Sequence, residues 1–179
     1  MQVLFSRLAL DNNYKTPGMS VRIYWIHQFE NKAKVGIMAR PRGNEWLKDE
    51  VASLHKQNVS VLVSLLEMEE VIELGLREEE RLCVEQKIEF ISFPIEDRSI
   101  PNNESKTKQL LKVLSDAVKE GNSIVIHCRM GIGRSSIIAG AVVSGFGLDP
   151  HKVLQHISNV RGLKVPDTEE QTKWLYKLK

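Results

Sequence analysis

The chain has 179 residues, enough for one domain with a substantial core. Its 25 basic and 23 acidic residues give a formal charge of +2, too balanced to point to nucleic acid or a membrane surface as the principal partner. No apolar run reaches the roughly 20 residues of a membrane span, and two cysteines, Cys83 and Cys128, are too few for a disulfide scaffold.

Residues 1–7 lack the basic start, long apolar run and small-residue cleavage site of a secretory signal. A cytoplasmic enzyme in a reducing compartment is therefore the expectation. Residues 21–26 alternate and read as a strand, and residues 34–39 read as a second. Asn44 is a candidate N-cap for a helix to about Gln57, with Trp46, Leu47, Val51 and Leu54 on one face. Residues 59–63 form a buried-type strand. Two helices follow, 68–74 stopped by Gly75 and a charged one at 77–86. A strand at 88–93 precedes a proline-bearing loop at 94–103 and a helix at 104–120. The strand 123–127, a loop, and helices near 134–143, 150–160 and 167–178 complete the chain. Strands alternating with helices predict one α/β domain over residues 1–179. Its core should be a mixed, mostly parallel sheet of four to five strands flanked by helices.

The densest signal is His127-Cys128-Arg129-Met130-Gly131-Ile132-Gly133-Arg134-Ser135. An apolar strand ends in a cysteine, and an arginine follows after five intervening residues at the start of an apolar helix. Phosphoryl transfer to sulfur needs a thiolate, a cradle for three oxygens, and a proton for the leaving group. Gly131 and Gly133 allow loop amides to turn inward as an anion nest, and the helix dipole points at the same place. Both favour a thiolate on Cys128. Arg134 offers a planar fork for two phosphate oxygens, which lysine cannot match. Ser135 can donate to the sulfur as it leaves.

These residues resemble the HC-x-x-G-x-x-R-S/T loop of the protein tyrosine phosphatase superfamily, and the short chain resembles its compact, dual-specificity-like branch. The resemblance implies a phosphocysteine intermediate on Cys128. It implies phosphate binding by Arg129, Met130, Gly131, Ile132, Gly133 and Arg134. His127 would support the cysteine from behind, with no general-base role. Such enzymes also carry an aspartic acid on a separate loop. Phe93-Pro94-Ile95-Glu96-Asp97-Arg98 lies between a strand and a helix, as that loop does, and Asp97 matches the acid. Glu96 is its competitor. In the tail, Gln171 matches a glutamine that helps to position water in some branches; the other reading is a solvated helix residue.

The expected activity is metal-independent hydrolysis of phosphotyrosine in proteins, with phosphoserine and phosphothreonine as further substrates. No cofactor is expected, and the protein is expected to be a monomer. A phosphoinositide phosphatase is the alternative, and Arg129 is half of the basic pair that such relatives carry, with Ile132 at the other place. A rhodanese-type sulfurtransferase is a weaker alternative, opposed by Arg134-Ser135 and a separate Asp97. Arg40 and Arg42 would add a basic rim if their strand end faces the pocket. Cys83 reads as a buried structural thiol.

Overall fold

The computed structural model describes residues 21–178, so the reading of residues 1–7 lies outside the described residues. Among the described residues, five strands form one sheet: β1 Tyr24–Gln28, β2 Lys34–Ala39, β3 Val61–Ser64, β4 Glu89–Ser92 and β5 Ile124–Cys128. Their order is β1-β2-β5-β3-β4. β1 runs antiparallel to β2, and the remaining pairs are parallel. The expected mixed, mostly parallel sheet is present. Among the described residues, no helix is long and apolar enough to cross a membrane.

Among the described residues, seven α-helices flank the sheet: α1 Leu47–Lys56, α2 Met68–Glu73, α3 Glu79–Glu85, α4 Glu104–Lys119, α5 Arg134–Ser144, α6 Pro150–Arg161 and α7 Glu169–Lys177. One core layer joins the sheet to α4, α5, α6 and α7 through Leu114, Ile138, Ile157 and Leu175. The other packs α1 and α3 against it through Leu54, Leu82 and Cys83. α5 is buried from Arg134 through Val143. That explains its apolar sequence on every face: it lies between the sheet and its neighbouring helices.

Three local expectations need correction. β1 starts at Tyr24, which pairs with Ile37, rather than at residue 21, and it runs on to Gln28 opposite Lys34. Asn44 does not cap α1. It opens a 3-10 turn over Asn44–Trp46 with φ of 53°, and its amide bonds Gly75 O. The α-helical period begins only at Leu47, so Trp46 faces outward, 48% exposed, with the Arg42 guanidinium 4.7 Å from its ring centre. α7 begins after Thr168, whose hydroxyl accepts from the Gln171 amide. Thr168 is therefore the cap that ends the loop.

Candidate active site

The four parallel strands end on the same side of the sheet. That edge is where open α/β sheets gather ligands, because the loops leaving it converge there. β5 delivers Cys128 as its last residue. Strand alternation sends successive side chains to opposite faces. Cys128 enters the α4–α7 layer, whereas His127 is turned towards α3. His127 is fully buried, and its Nε2 lies 3.2 Å from Glu79 Oε1. That contact is not aligned as a hydrogen bond, and among the described residues neither ring nitrogen has another partner. The Cys128 thiol, 3% exposed, donates to Ser135 Oγ at 3.5 Å. With a thiolate the direction reverses, and the hydroxyl donates to sulfur.

Arg134 begins α5 and is 2% exposed. A buried guanidinium needs a counter-charge and full hydrogen bonding. Glu70 of α2 supplies both, accepting from Nη1 at 2.7 Å and from Nη2 at 2.9 Å. Nη1 also donates to Ile95 O at 2.9 Å, and Nη2 lies 3.0 Å from Asp97 Oδ1. Burial pushes the Glu70 carboxyl up. The Arg134 hydrogen bond, the Glu67 amide and the charges of Arg134 and Arg129 outweigh burial and hold it below the usual carboxylate range. A carboxyl lowered on folding stabilises above its unfolded value, and that contribution is lost as pH falls through the folded value. The hold on Arg134 thus weakens on the acid side.

Asp97 lies on the loop after β4, and its side chain is 61% exposed. Gln171 is fully buried, so the solvated-helix alternative does not hold. Its Nε2 donates to Ser99 O at 2.9 Å, and its Oε1 accepts from the Asp167 and Thr168 amides at 3.1 and 3.3 Å. It therefore ties the start of α7 to the loop that carries Asp97. Arg129 donates to both Glu73 oxygens, at 2.6 and 3.0 Å, so its charge is paired with α2. The Arg40 amide donates to Arg129 O at 3.4 Å, which brings the end of β2 to the loop. Arg42 is held by Glu50. Cys83 is buried, and desolvation followed by the charges of Glu79 and Glu80 pushes its thiol up to about 12.

The glycines are spatially necessary. Gly131 has φ of 65°, and a Cβ there would lie 2.5 Å from the Met38 carbonyl. A Cβ on Gly133 would lie 2.3 Å from Asp167 Oδ2 and 2.8 Å from Gln171 Oε1. Gly131→Ala meets main chain as well as an unfavourable φ, so it should cost on the order of 2 kcal/mol or more. Thermal unfolding checks this, with weaker phosphate binding expected alongside.

Glu70 escaped the sequence reading. The available signal was indirect: a buried arginine on an apolar helix requires an acid, and α2 offers several. Among the described residues, no group of three or more His, Cys, Asp or Glu side chains is arranged to hold a metal ion.

The family model described as "Tc-R-P: Polymorphic toxin system, DSP-PTPase phosphatase" matches residues 35–146, from β2 to just beyond α5. The chain belongs to this family. It is thus a phosphatase of the dual-specificity and tyrosine phosphatase superfamily, and its substrate is a phosphorylated compound. No curated protein matches it in sequence. Among solved structures, kinase associated phosphatase (KAP) carrying serine at its catalytic cysteine is similar with a TM-score of 0.79. The identity is 16%, over 89% of this chain and 94% of that one. Tk-PTP in its active form gives 0.70 at 23% identity, over 87% and 95%. PTPMT1 in complex with PI(5)P gives 0.68 at 16% identity, over 85% and 92%. At these identities the likenesses establish the fold.

Proposed function

We propose that the chain is a metal-independent protein phosphatase acting on phosphotyrosine, and on phosphoserine and phosphothreonine, through a phosphocysteine intermediate. The observation that carries this reading is the convergence of Cys128, Arg134 and Asp97 at one edge of the sheet. Arg134 is oriented by buried Glu70, and Asp97 is within ion-pair distance of its Nη2. Cys128 Sγ attacks phosphorus, the S–P bond forms and the P–O bond to the leaving group breaks. Asp97 gives its proton to the leaving oxygen. Asp97 then removes a proton from water, the resulting hydroxide attacks phosphorus, and the S–P bond breaks to release phosphate. Arg134 and the amides of residues 129–133 bind the non-bridging oxygens throughout. Ser135 stabilises the leaving thiolate. Gln171 holds the acid loop in register with the phosphate loop. His127 supports the strand end from behind.

The pairing of Arg129 with Glu73 supports a protein substrate over a polyphosphorylated inositol, because the one basic side chain inside the loop is already neutralised. The reading includes a cytoplasmic, monomeric protein, with residues 1–179 as one phosphatase domain and no cofactor. A panel of phosphotyrosine, phosphoserine/threonine and phosphoinositide substrates, each assayed with chelator present, tests it. Turnover confined to phosphoinositides would overturn the protein-substrate assignment, and loss of activity with chelator would overturn metal independence.

Asp97→Asn should lower kcat about 100-fold on phosphotyrosine peptide, a poor leaving group, and far less on an activated aryl phosphate. The comparison of the two substrates is the measurement. Equal losses on both would remove Asp97 from the acid role and make Glu96 the next residue to replace.

A further inference from the structure

Arg161 is the last residue of α6, and its side chain reaches back to the 129–133 loop. Nε donates to Gly131 O at 2.9 Å, and Nη2 donates to Met130 O at 3.1 Å. The guanidinium also lies over the Tyr24 ring of β1, 4.0 Å from its centre. Gly162, with φ of 70°, ends α6 immediately afterwards. Three separated parts of the chain therefore meet at the loop: β1, the end of α6, and the link from β5 to α5.

The N–H and C=O of a peptide point in opposite directions. A loop that turns its amides inward to an anion must turn carbonyls outward, and outward carbonyls need donors. Met130 and Gly131 present two such carbonyls in succession, on the segment where Gly131 takes its left-handed φ. A guanidinium is suited to this task because two of its N–H groups lie in one rigid plane. The Tyr24 face limits the orientations available to that plane.

We propose that Arg161 is a positioning residue: it ties down the outer carbonyls of the phosphate loop so that the loop amides stay turned toward the anion, with Tyr24 as its platform. The inference rests on reading residues 129–133 as the phosphate loop. Arg161 touches the loop rather than the substrate, so its effect is exerted through loop geometry. A purely structural role, packing the end of α6, would change stability without changing anion affinity in the folded protein.

The test compares wild type, Arg161→Ala, Arg161→Lys and Tyr24→Ala. The readings are the competitive inhibition constant of inorganic phosphate and kcat/KM on an aryl phosphate, taken at a temperature where circular dichroism shows each variant folded. Arg161→Ala should weaken phosphate binding about tenfold, with kcat/KM falling by at least as much. Lysine can reach only one carbonyl and should recover only part of the loss. Tyr24→Ala should show a smaller loss of the same kind. Wild-type phosphate affinity in Arg161→Ala overturns the proposal, and full recovery with lysine overturns the two-carbonyl fork. Should Arg161→Ala not fold, Arg161→Lys and Tyr24→Ala carry the decision, and wild-type constants in both overturn it. A wild-type protein that neither binds phosphate nor hydrolyses the ester rejects the underlying phosphatase reading instead.

Discussion

Serine in place of Cys128 should leave a folded protein that binds phosphate and does not turn over. The substitution is nearly isosteric at a site 3% exposed, so packing changes little. A serine hydroxyl, unlike a thiol, needs an adjacent base to become a nucleophile. The nearest histidine in sequence, His127, is turned to the opposite face towards Glu79. His127 is therefore not placed to act as that base, and kcat should fall on the order of 10⁴-fold or more. Steady-state turnover of an aryl phosphate and calorimetric titration with phosphate check the two halves. Residual activity near the wild-type level would mean that sulfur does not attack phosphorus.

The second large effect is expected from Arg134→Lys. The guanidinium makes two parallel bonds to Glu70, a bond to Ile95 O and a contact with Asp97. An ammonium cannot reproduce this planar set and still present two donors to phosphate. Loss of one preorganised anion-stabilising group costs about 3–4 kcal/mol of transition-state stabilisation, so kcat/KM should fall by about 10³. Folding should suffer too, because Glu70 stays buried with a poorer partner. Kinetics paired with chemical denaturation separate the effects. Retention of wild-type kcat/KM in the lysine variant would show that charge alone suffices at this position.

The loop chemistry was readable because it is local. Cys128, Gly131, Gly133, Arg134 and Ser135 fall within eight residues, and each type has a physical reason for its place. Asp97 was reachable because a strand precedes its loop and a helix follows it. Glu70 was not. α2 and its cap carry Glu67, Glu69, Glu70 and Glu73, and nothing local says which one turns inward. That choice is made by the adjacency of β3 and β5, which sets α2 beside the loop. The Thr168-x-x-Gln171 spacing is a legible capping box. Its bond to Ser99, 72 residues away, is not, because it depends on how two loops meet in space. Trp46 was misplaced for a similar reason: one short 3-10 turn changes the phase of the helix that follows.

Arg134 holds two carboxylates with different access to water. Glu70 is nearly enclosed, with its side chain 11% exposed, whereas Asp97 is 61% exposed. An anion arriving at the loop meets a cation already neutralised, so its entry is an ion exchange. Glu70 is the fixed counter-ion of this exchanger, and Asp97 is the replaceable one. Glu70 keeps the Arg134 charge compensated whichever second anion is present, so less unpaired charge is left to screen. Added salt should therefore weaken phosphate binding less than it would at a bare guanidinium.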